Sequence, residues 1–133
     1  ALYYEGGFYL DTDIEVLKSL DPFLKDECFV TYGTLDHICA TTMGAHKHAP
    51  FIGQLLLWYD CVHCDEDYWE IANAKIITKL TRYLYGVKTD GRDLHLPDKT
   101  HVYPREYFFP DENKSGYIVT ENTHCIHHQT GLW

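Results

Sequence analysis

The sequence has no long apolar run and few basic residues. Its longest apolar stretch, "FIGQLLLWY", is well short of the ~20 residues that a membrane-spanning helix needs, and no secretory signal peptide is visible. Lys and Arg total 11 against 20 Asp and Glu, so the net charge is -9. This acidic excess argues against a nucleic-acid backbone or an anionic lipid surface as the main partner.

Several well-known motifs are also missing. The sequence contains no nucleophile elbow, no phosphate-binding glycine loop and no dinucleotide fingerprint. An EF-hand loop beginning at Asp11 would need Gly at position 16 and Glu at position 22, where Val16 and Pro22 stand instead. The five cysteines follow no disulfide framework, which favours a reducing, cytoplasmic location.

Apolar and aromatic residues are plentiful. The 133 residues are 45% hydrophobic and 15% aromatic, which is ample material for a core and suits one domain of ordinary size. Short apolar segments bounded by turn residues predict strands. We expect them at "FYL", at the start of "IEVLKSLDPF", and at "CFVTY", "THVYP", "YFFP" and Cys125 to His127. The segment "DHICATTMGA" predicts a strand that leads into a loop.

Two helices are predicted in the middle of the chain. Pro50 suits the first turn of a helix extending to Val62, and a second helix is expected from Tyr68 to Tyr85, with Gly86 ending it. The first should be largely buried, because its apolar positions are dense. These positions are Phe51, Leu55, Leu56, Trp58 and Tyr59. Together the segments predict a mixed α/β fold.

The chain begins with "ALYYEGG", which is typical of the end of a helix. Gly6 and Gly7 would stop that helix, because glycine accepts a left-handed backbone without steric cost. We therefore expect the sequence to be a piece of a longer protein.

Two aspartates follow the first predicted strand. If Asp11 and Asp13 lie at a strand end, their carboxylates share one side and can bind one hard cation such as Mg²⁺ or Mn²⁺. A solvated turn would explain the same D-x-D spacing. The segment "HCIHH" supplies His124, His127 and His128, one of which could join Asp13 in a mixed nitrogen and oxygen site. An ordinary polar tail is the alternative.

One C-x-x-C pair is present, formed by Cys61 and Cys64. Such a pair can be half of a zinc site, but the sequence has no second pair. Because the pair lies late in a predicted helix, we interpret both cysteines as thiols of the hydrophobic core and not as zinc ligands.

Four segments resemble glycosyltransferases of family 32. "LYYEGGFYLDTDIEVLKSLD" is similar to that family's hallmark around its D-x-D motif. "MGAHKHAPF", "HVYPREYFFP" and "NTHCIHHQTGLW" resemble later segments of the family, in the same order. This group includes bacterial capsule and lipopolysaccharide sugar transferases and is related to clostridial glucosylating toxins.

The resemblance implies a fold and a set of site residues. The fold would be of the GT-A type, with residues 1–133 forming the C-terminal portion of one catalytic domain that lacks its N-terminal nucleotide-binding strands. This portion would carry the metal half of the site, and we expect it to be inactive in isolation. Asp13 and His127 would bind the metal, with His128 as the less favoured histidine. Asp11 would contact the nucleotide ribose or reach the metal through water. The donor would also contact Gly7 and Trp133, and the catalytic residues would be Asp11 and Asp13.

The implied activity is metal-dependent, retaining transfer of a sugar from a nucleotide sugar, with a UDP-sugar as the expected donor. The cofactor would be Mn²⁺ or Mg²⁺, and the acceptor a saccharide or glycolipid in surface polysaccharide or glycan synthesis. The resemblance also implies peripheral association with the inner membrane. Nucleic acid is not an expected partner. Two alternatives stay open: a non-catalytic zinc-binding or interaction module built on Cys and His residues, and a degenerate transferase that binds donor without turnover.

Overall fold

The computed structural model describes residues 1–61 and 73–129. Within them, a five-stranded mixed sheet is flanked by helices, as the sequence predicts. The strands are β1 (Gly7–Leu10), β2 (Ile14–Val16), β3 (Cys28–Tyr32), β4 (Ile38–Ala45), β5 (Leu94–His95), β6 (Thr100–Tyr103), β7 (Glu112–Asn113), β8 (Gly116–Tyr117) and β9 (Cys125–His127). The large sheet has the order β1-β4-β3-β6-β5, in which only β3 and β6 run parallel.

The helices lie mostly on one side of this sheet. They are α1 (Leu2–Glu5), α2 (Pro50–Cys61) and α3 (Asn73–Tyr85), with 3-10 turns at Asp21–Phe23 and Arg105–Tyr107. Helix α2 begins at the predicted proline. Helix α3 ends before Gly86, whose φ of 63° is the left-handed conformation expected there. The predicted start of α3 at Tyr68 lies outside the described residues.

Strand alternation divides the core into two layers. On β3, Val30 and Tyr32 point towards α2 and α3, while Phe29 points to the opposite face of the sheet. The first layer contains Phe51, Ile52 and Leu55 from α2 and Ile77 from α3. The second layer is an aromatic cluster of Phe23, Phe29, Tyr103 and Phe108, together with Cys125 from β9.

Two predictions about these elements are wrong. Helix α2 is buried on one side only, because that side alone packs on the sheet; Leu56 and Tyr59 are 39% and 37% exposed. The segment "YFFP" is not a strand. Pro104 precedes a 3-10 turn instead, in which the Tyr107 N–H donates to the Pro104 carbonyl and the Phe108 N–H to that of Arg105.

Candidate functional site

Residues from both ends of the chain meet at one edge of the molecule. Strand β2 pairs antiparallel with β9, and this register places Ile14 opposite His127. The pairing continues beyond the strands, because the His128 N–H donates to the Asp13 carbonyl at 3.0 Å. The buried side chain of Cys125 anchors β9 in the aromatic cluster. The fold therefore holds His127 beside the residue that precedes β2.

That residue is Asp13. Its Oδ1 lies 3.1 Å from His127 Nε2, and the two side chains are only 7% and 10% exposed. Neither ring nitrogen of His127 has a hydrogen-bond partner within residues 1–61 and 73–129, although both are buried. A buried polar atom without such a partner is costly, and a bound cation would satisfy the ring nitrogen that faces Asp13.

Asp11 completes the cluster from the end of β1. Its backbone is fixed on both sides: the Asp11 N–H donates to the Thr41 carbonyl at 2.9 Å, and the Asp11 carbonyl accepts from Ile14 N–H at 3.1 Å. These contacts form a tight turn that carries the D-x-D segment. The carboxylates of Asp11 and Asp13 converge because of this turn and not through strand alternation.

Tyr9 holds the Asp11 side chain. Its hydroxyl donates a hydrogen bond to Asp11 Oδ1 at 2.6 Å. This hydrogen bond raises the pKa of the Tyr9 phenol above its usual value, and partial burial and the negative charge of Asp11 act in the same direction. Tyr9 therefore stays a proton donor to this carboxylate. Sequence reasoning assigned it no role, although its position two residues before Asp11 on a strand puts both on one side.

The three candidate ligands fit a divalent cation. One ligand atom each from Asp11, Asp13 and His127 lies within 4.8 Å of the other two. At that separation and an effective dielectric of about 20, two carboxylates repel each other by about 3 kcal/mol. A cation between them removes this repulsion, and two carboxylates with one imidazole are a donor set that Mn²⁺ accepts.

The other histidines of the tail are placed elsewhere. His128 Nε2 lies 2.9 Å from Glu15 Oε2, and His124 Nδ1 lies 2.8 Å from the Ser19 carbonyl. Only His127 of these three reaches the aspartates, because β-strand neighbours point to opposite sides. Its ring packs on Phe109 with the centroids 4.9 Å apart.

A cleft opens beside Asp11. Its volume is about 490 Å³, within the range of small-molecule sites. Tyr9 and Asp11 form its polar side with Thr41, and Met43 and Leu2 contribute apolar surface. Asp11 therefore borders both the carboxylate cluster and a space large enough for a small-molecule ligand.

Gly7, a predicted donor-binding residue, is not brought to this cluster. Gly7 lies at the far end of β1, about 13 Å from Asp11 at 3.3 Å per strand residue. It lines a different cleft, with Phe8 and Lys47. Trp133 and Cys64 lie outside the described residues, so their predicted roles stay predictions. Cys61 is exposed, whereas the core-thiol interpretation expects it to be buried.

Comparisons with known proteins give one family match. Residues 1–30 match the family described as "Glycosyltransferase sugar-binding region containing DXD motif". This part of the chain includes Tyr9, Asp11 and Asp13, and the match supports a glycosyltransferase-type function. Searches of curated proteins and of solved structures returned no match. None of the helices in the described ranges has the length and apolar character to cross a bilayer.

Proposed function

We propose that this protein is a metal-dependent, retaining glycosyltransferase of family 32 that moves a sugar from a UDP-sugar to a saccharide or glycolipid acceptor. The described sheet and helices would be the C-terminal part of a GT-A type domain that acts in the cytoplasm, at or near the inner membrane. One observation carries the proposal: a D-x-D segment within a sugar-transferase family match lies against a buried histidine from the other end of the chain.

Asp13 and His127 are proposed as direct ligands of Mn²⁺ or Mg²⁺, with Asp11 at the metal or at the donor ribose. When bound, the metal would act as a Lewis acid on the diphosphate, worth several kcal/mol. The two proposed metal ligands, Asp13 and His127, would be in position before the ion binds, because the β2–β9 pairing holds them. Little reorganisation is then needed during the reaction.

The protein's own residues position the donor. Tyr9 fixes one oxygen of Asp11 by its hydrogen bond, which leaves the second oxygen available for the donor. The cleft between Tyr9 and Met43 would take the sugar or ribose, with Thr41 at its polar side. Packing of Phe109 on His127 keeps the imidazole ring oriented towards Asp13.

The reaction requires no protein nucleophile. The bond between the anomeric carbon and the β-phosphate oxygen breaks, and a bond from the acceptor hydroxyl oxygen to that carbon forms on the same face. The acceptor proton passes to the departing phosphate oxygen, so charge and atoms balance. Anion-stabilising groups at the diphosphate are therefore the main requirement of the site.

Release of UDP from a panel of UDP-hexoses tests the proposal. With Mn²⁺ and a saccharide acceptor, a chain extended upstream to include the proposed nucleotide-binding strands should release UDP from at least one donor, and the variants below are made in that extended chain. Asp13→Asn should lower the rate by more than about 100-fold, because several kcal/mol of stabilisation are lost and each 1.4 kcal/mol is a factor of ten. Glu15→Gln is the matched control, since Glu15 is an exposed carboxylate two residues away that contacts His128.

Three outcomes are informative. Equal loss in Asp13→Asn and Glu15→Gln would contradict a specific role for the D-x-D segment. UDP binding without release from any donor would favour the degenerate transferase. Zinc binding that depends on cysteines, without UDP binding, would favour the interaction module.

A further inference from the structure

A second cluster of metal-binding side chains lies on the hairpin of β5 and β6. His95 and His101 are directly opposite each other in its antiparallel register. Asp93 precedes His95 by two residues, which places it on the same side as His95. We propose that Asp93, His95 and His101 form a Zn²⁺ site, separate from the Asp11, Asp13 and His127 cluster and independent of the proposed transferase activity.

The two imidazoles converge on one carboxylate. His101 Nε2 lies 2.7 Å from Asp93 Oδ1, and His95 Nε2 lies 3.3 Å from Asp93 Oδ2. The two rings are neighbours, with their centroids 3.9 Å apart. One ligand atom from each of the three residues lies within 4.8 Å of the others. A cation can therefore contact all three without a change in the backbone.

The surroundings of His101 match those of a metal-binding histidine. Its side chain is 7% exposed, and Nδ1 lies 3.5 Å from Asp26 Oδ2. Within the part of the chain that the structure describes, this nitrogen has no hydrogen-bond partner. Tyr103 donates a hydrogen bond to the same Asp26 oxygen at 2.7 Å and packs on the His101 ring. Ligating histidines usually direct their second nitrogen at such an outer carboxylate, which sets the ring orientation.

The donor set favours zinc over manganese or magnesium. Two imidazole nitrogens and one carboxylate are typical of zinc sites that keep a fourth position open. A cavity of about 320 Å³ is lined by Asp93 and His101, with Lys25 and His124 on its wall. This space can admit a water or an anionic group as the fourth ligand. The D-x-D cluster, with two carboxylates and one imidazole, has the opposite metal preference.

An ion-pair network is the competing explanation. A protonated His101 between Asp26 and Asp93 would produce the same contacts without a metal. That arrangement has no need of His95, whose side chain is 69% exposed. His95 is therefore the residue whose removal separates the two explanations. Because it is exposed, its removal should leave the fold intact.

Zn²⁺ affinity, measured by competition with a chromogenic chelator, tests the inference. The assay uses the full chain carrying Asp13→Asn, so that the D-x-D cluster does not contribute. His95→Ala should weaken Zn²⁺ binding by more than the roughly 10- to 100-fold that loss of an outer-shell partner costs. The control His37→Ala removes another exposed histidine that contacts an aspartate, and it should leave the affinity unchanged.

A second variant and a spectrum complete the test. Asp26→Asn should weaken Zn²⁺ binding by about 10- to 100-fold while the three ligands remain. The Co²⁺-loaded chain should show visible bands of a nitrogen and oxygen site, without the near-ultraviolet charge-transfer band of thiolate ligands. Unchanged Zn²⁺ affinity in His95→Ala would overturn the inference. A thiolate charge-transfer band in the spectrum of the Co²⁺-loaded chain would overturn it too.

Discussion

His127 Nε2 lies 3.1 Å from Asp13 Oδ1, although the two residues belong to opposite ends of the described chain. The contact depends on the β2–β9 register, which also turns His128 towards Glu15. A slip of one residue in that register would exchange the two histidines.

The first prediction contrasts these neighbouring histidines. His127→Ala should weaken Mn²⁺ binding by at least about tenfold, because losing a ligand removes more than the 1.4 kcal/mol that this factor represents. His128→Ala should leave Mn²⁺ affinity unchanged, since its partner is an exposed carboxylate. Calorimetric titration measures both, and equal effects would contradict the assignment of His127.

The second prediction concerns Tyr9. Tyr9→Phe removes the hydrogen bond to Asp11 and should weaken Mn²⁺–UDP binding about three- to tenfold, which corresponds to a net hydrogen bond of about 1 kcal/mol. The free energy of unfolding should change by less than about 1 kcal/mol, because the residue is 48% exposed. The same titration and urea denaturation measure the two effects. Tyr83→Phe, at an 85% exposed tyrosine, is the control that should change neither.

The third prediction tests the aromatic layer beneath β9. Phe108 is fully buried and stacks on Phe29 with centroids 5.3 Å apart. Phe108→Ala should lower the free energy of unfolding by about 3–5 kcal/mol, through lost burial and the cavity that remains. Tyr83→Ala should change it by no more than about 0.5 kcal/mol. Urea denaturation measures both; a loss below 1 kcal/mol for Phe108→Ala would contradict the packing described here.

The fourth prediction is a loss of stability in alkali. Burial raises the pKa of the Cys28 thiol to about 12 and that of Cys125 to about 11. The folded values exceed the ordinary value of 9.0, so their contribution to stability is complete below pH 9.0 and is lost as pH rises through the folded values. Burial also raises the pKa of Tyr85 and Tyr103, which adds to the loss in the same direction.

Urea denaturation between pH 8 and pH 11 measures this loss. Each buried thiol should lower the free energy of unfolding by up to about 1.4 kcal/mol per pH unit above its unfolded value. Cys28→Ala should give a shallower fall with pH, whereas Cys61→Ala, at an exposed thiol, should follow the parent. A parent chain with constant stability over this range would refute the prediction.

Local sequence patterns predict most of the strands and the start of α2. Strand β3 and strand β9 occupy the predicted residues, because β-branched and aromatic residues there are bounded by turn residues. The strand prediction fails at "YFFP", where a 3-10 turn over Arg105–Tyr107 follows Pro104, and the predicted burial of α2 is also wrong. Apolar density identifies a helix that packs, but the face that meets the sheet depends on contacts distant in sequence.

The candidate site, like the fold, could be predicted from the sequence only in part. The D-x-D and "HCIHH" segments predict which residue types form the site. Which histidine faces Asp13, His127 or His128, depends on the register of β2 with β9, two strands that are distant in sequence. Tyr9 could be found from its spacing to Asp11. Asp93, His95 and His101 form no recognisable motif, because the hairpin register that brings the histidines together is visible only in the folded chain.

Calorimetric titration of Mn²⁺ into this chain, with and without UDP, tests the central claim most directly. Mn²⁺ binding should tighten when UDP is present, disappear in Asp13→Ala and persist in Glu15→Gln. Mn²⁺ binding that does not change with UDP or that survives Asp13→Ala would contradict a metal site for a nucleotide-sugar donor, and so would the absence of binding by a chain extended upstream of Ala1.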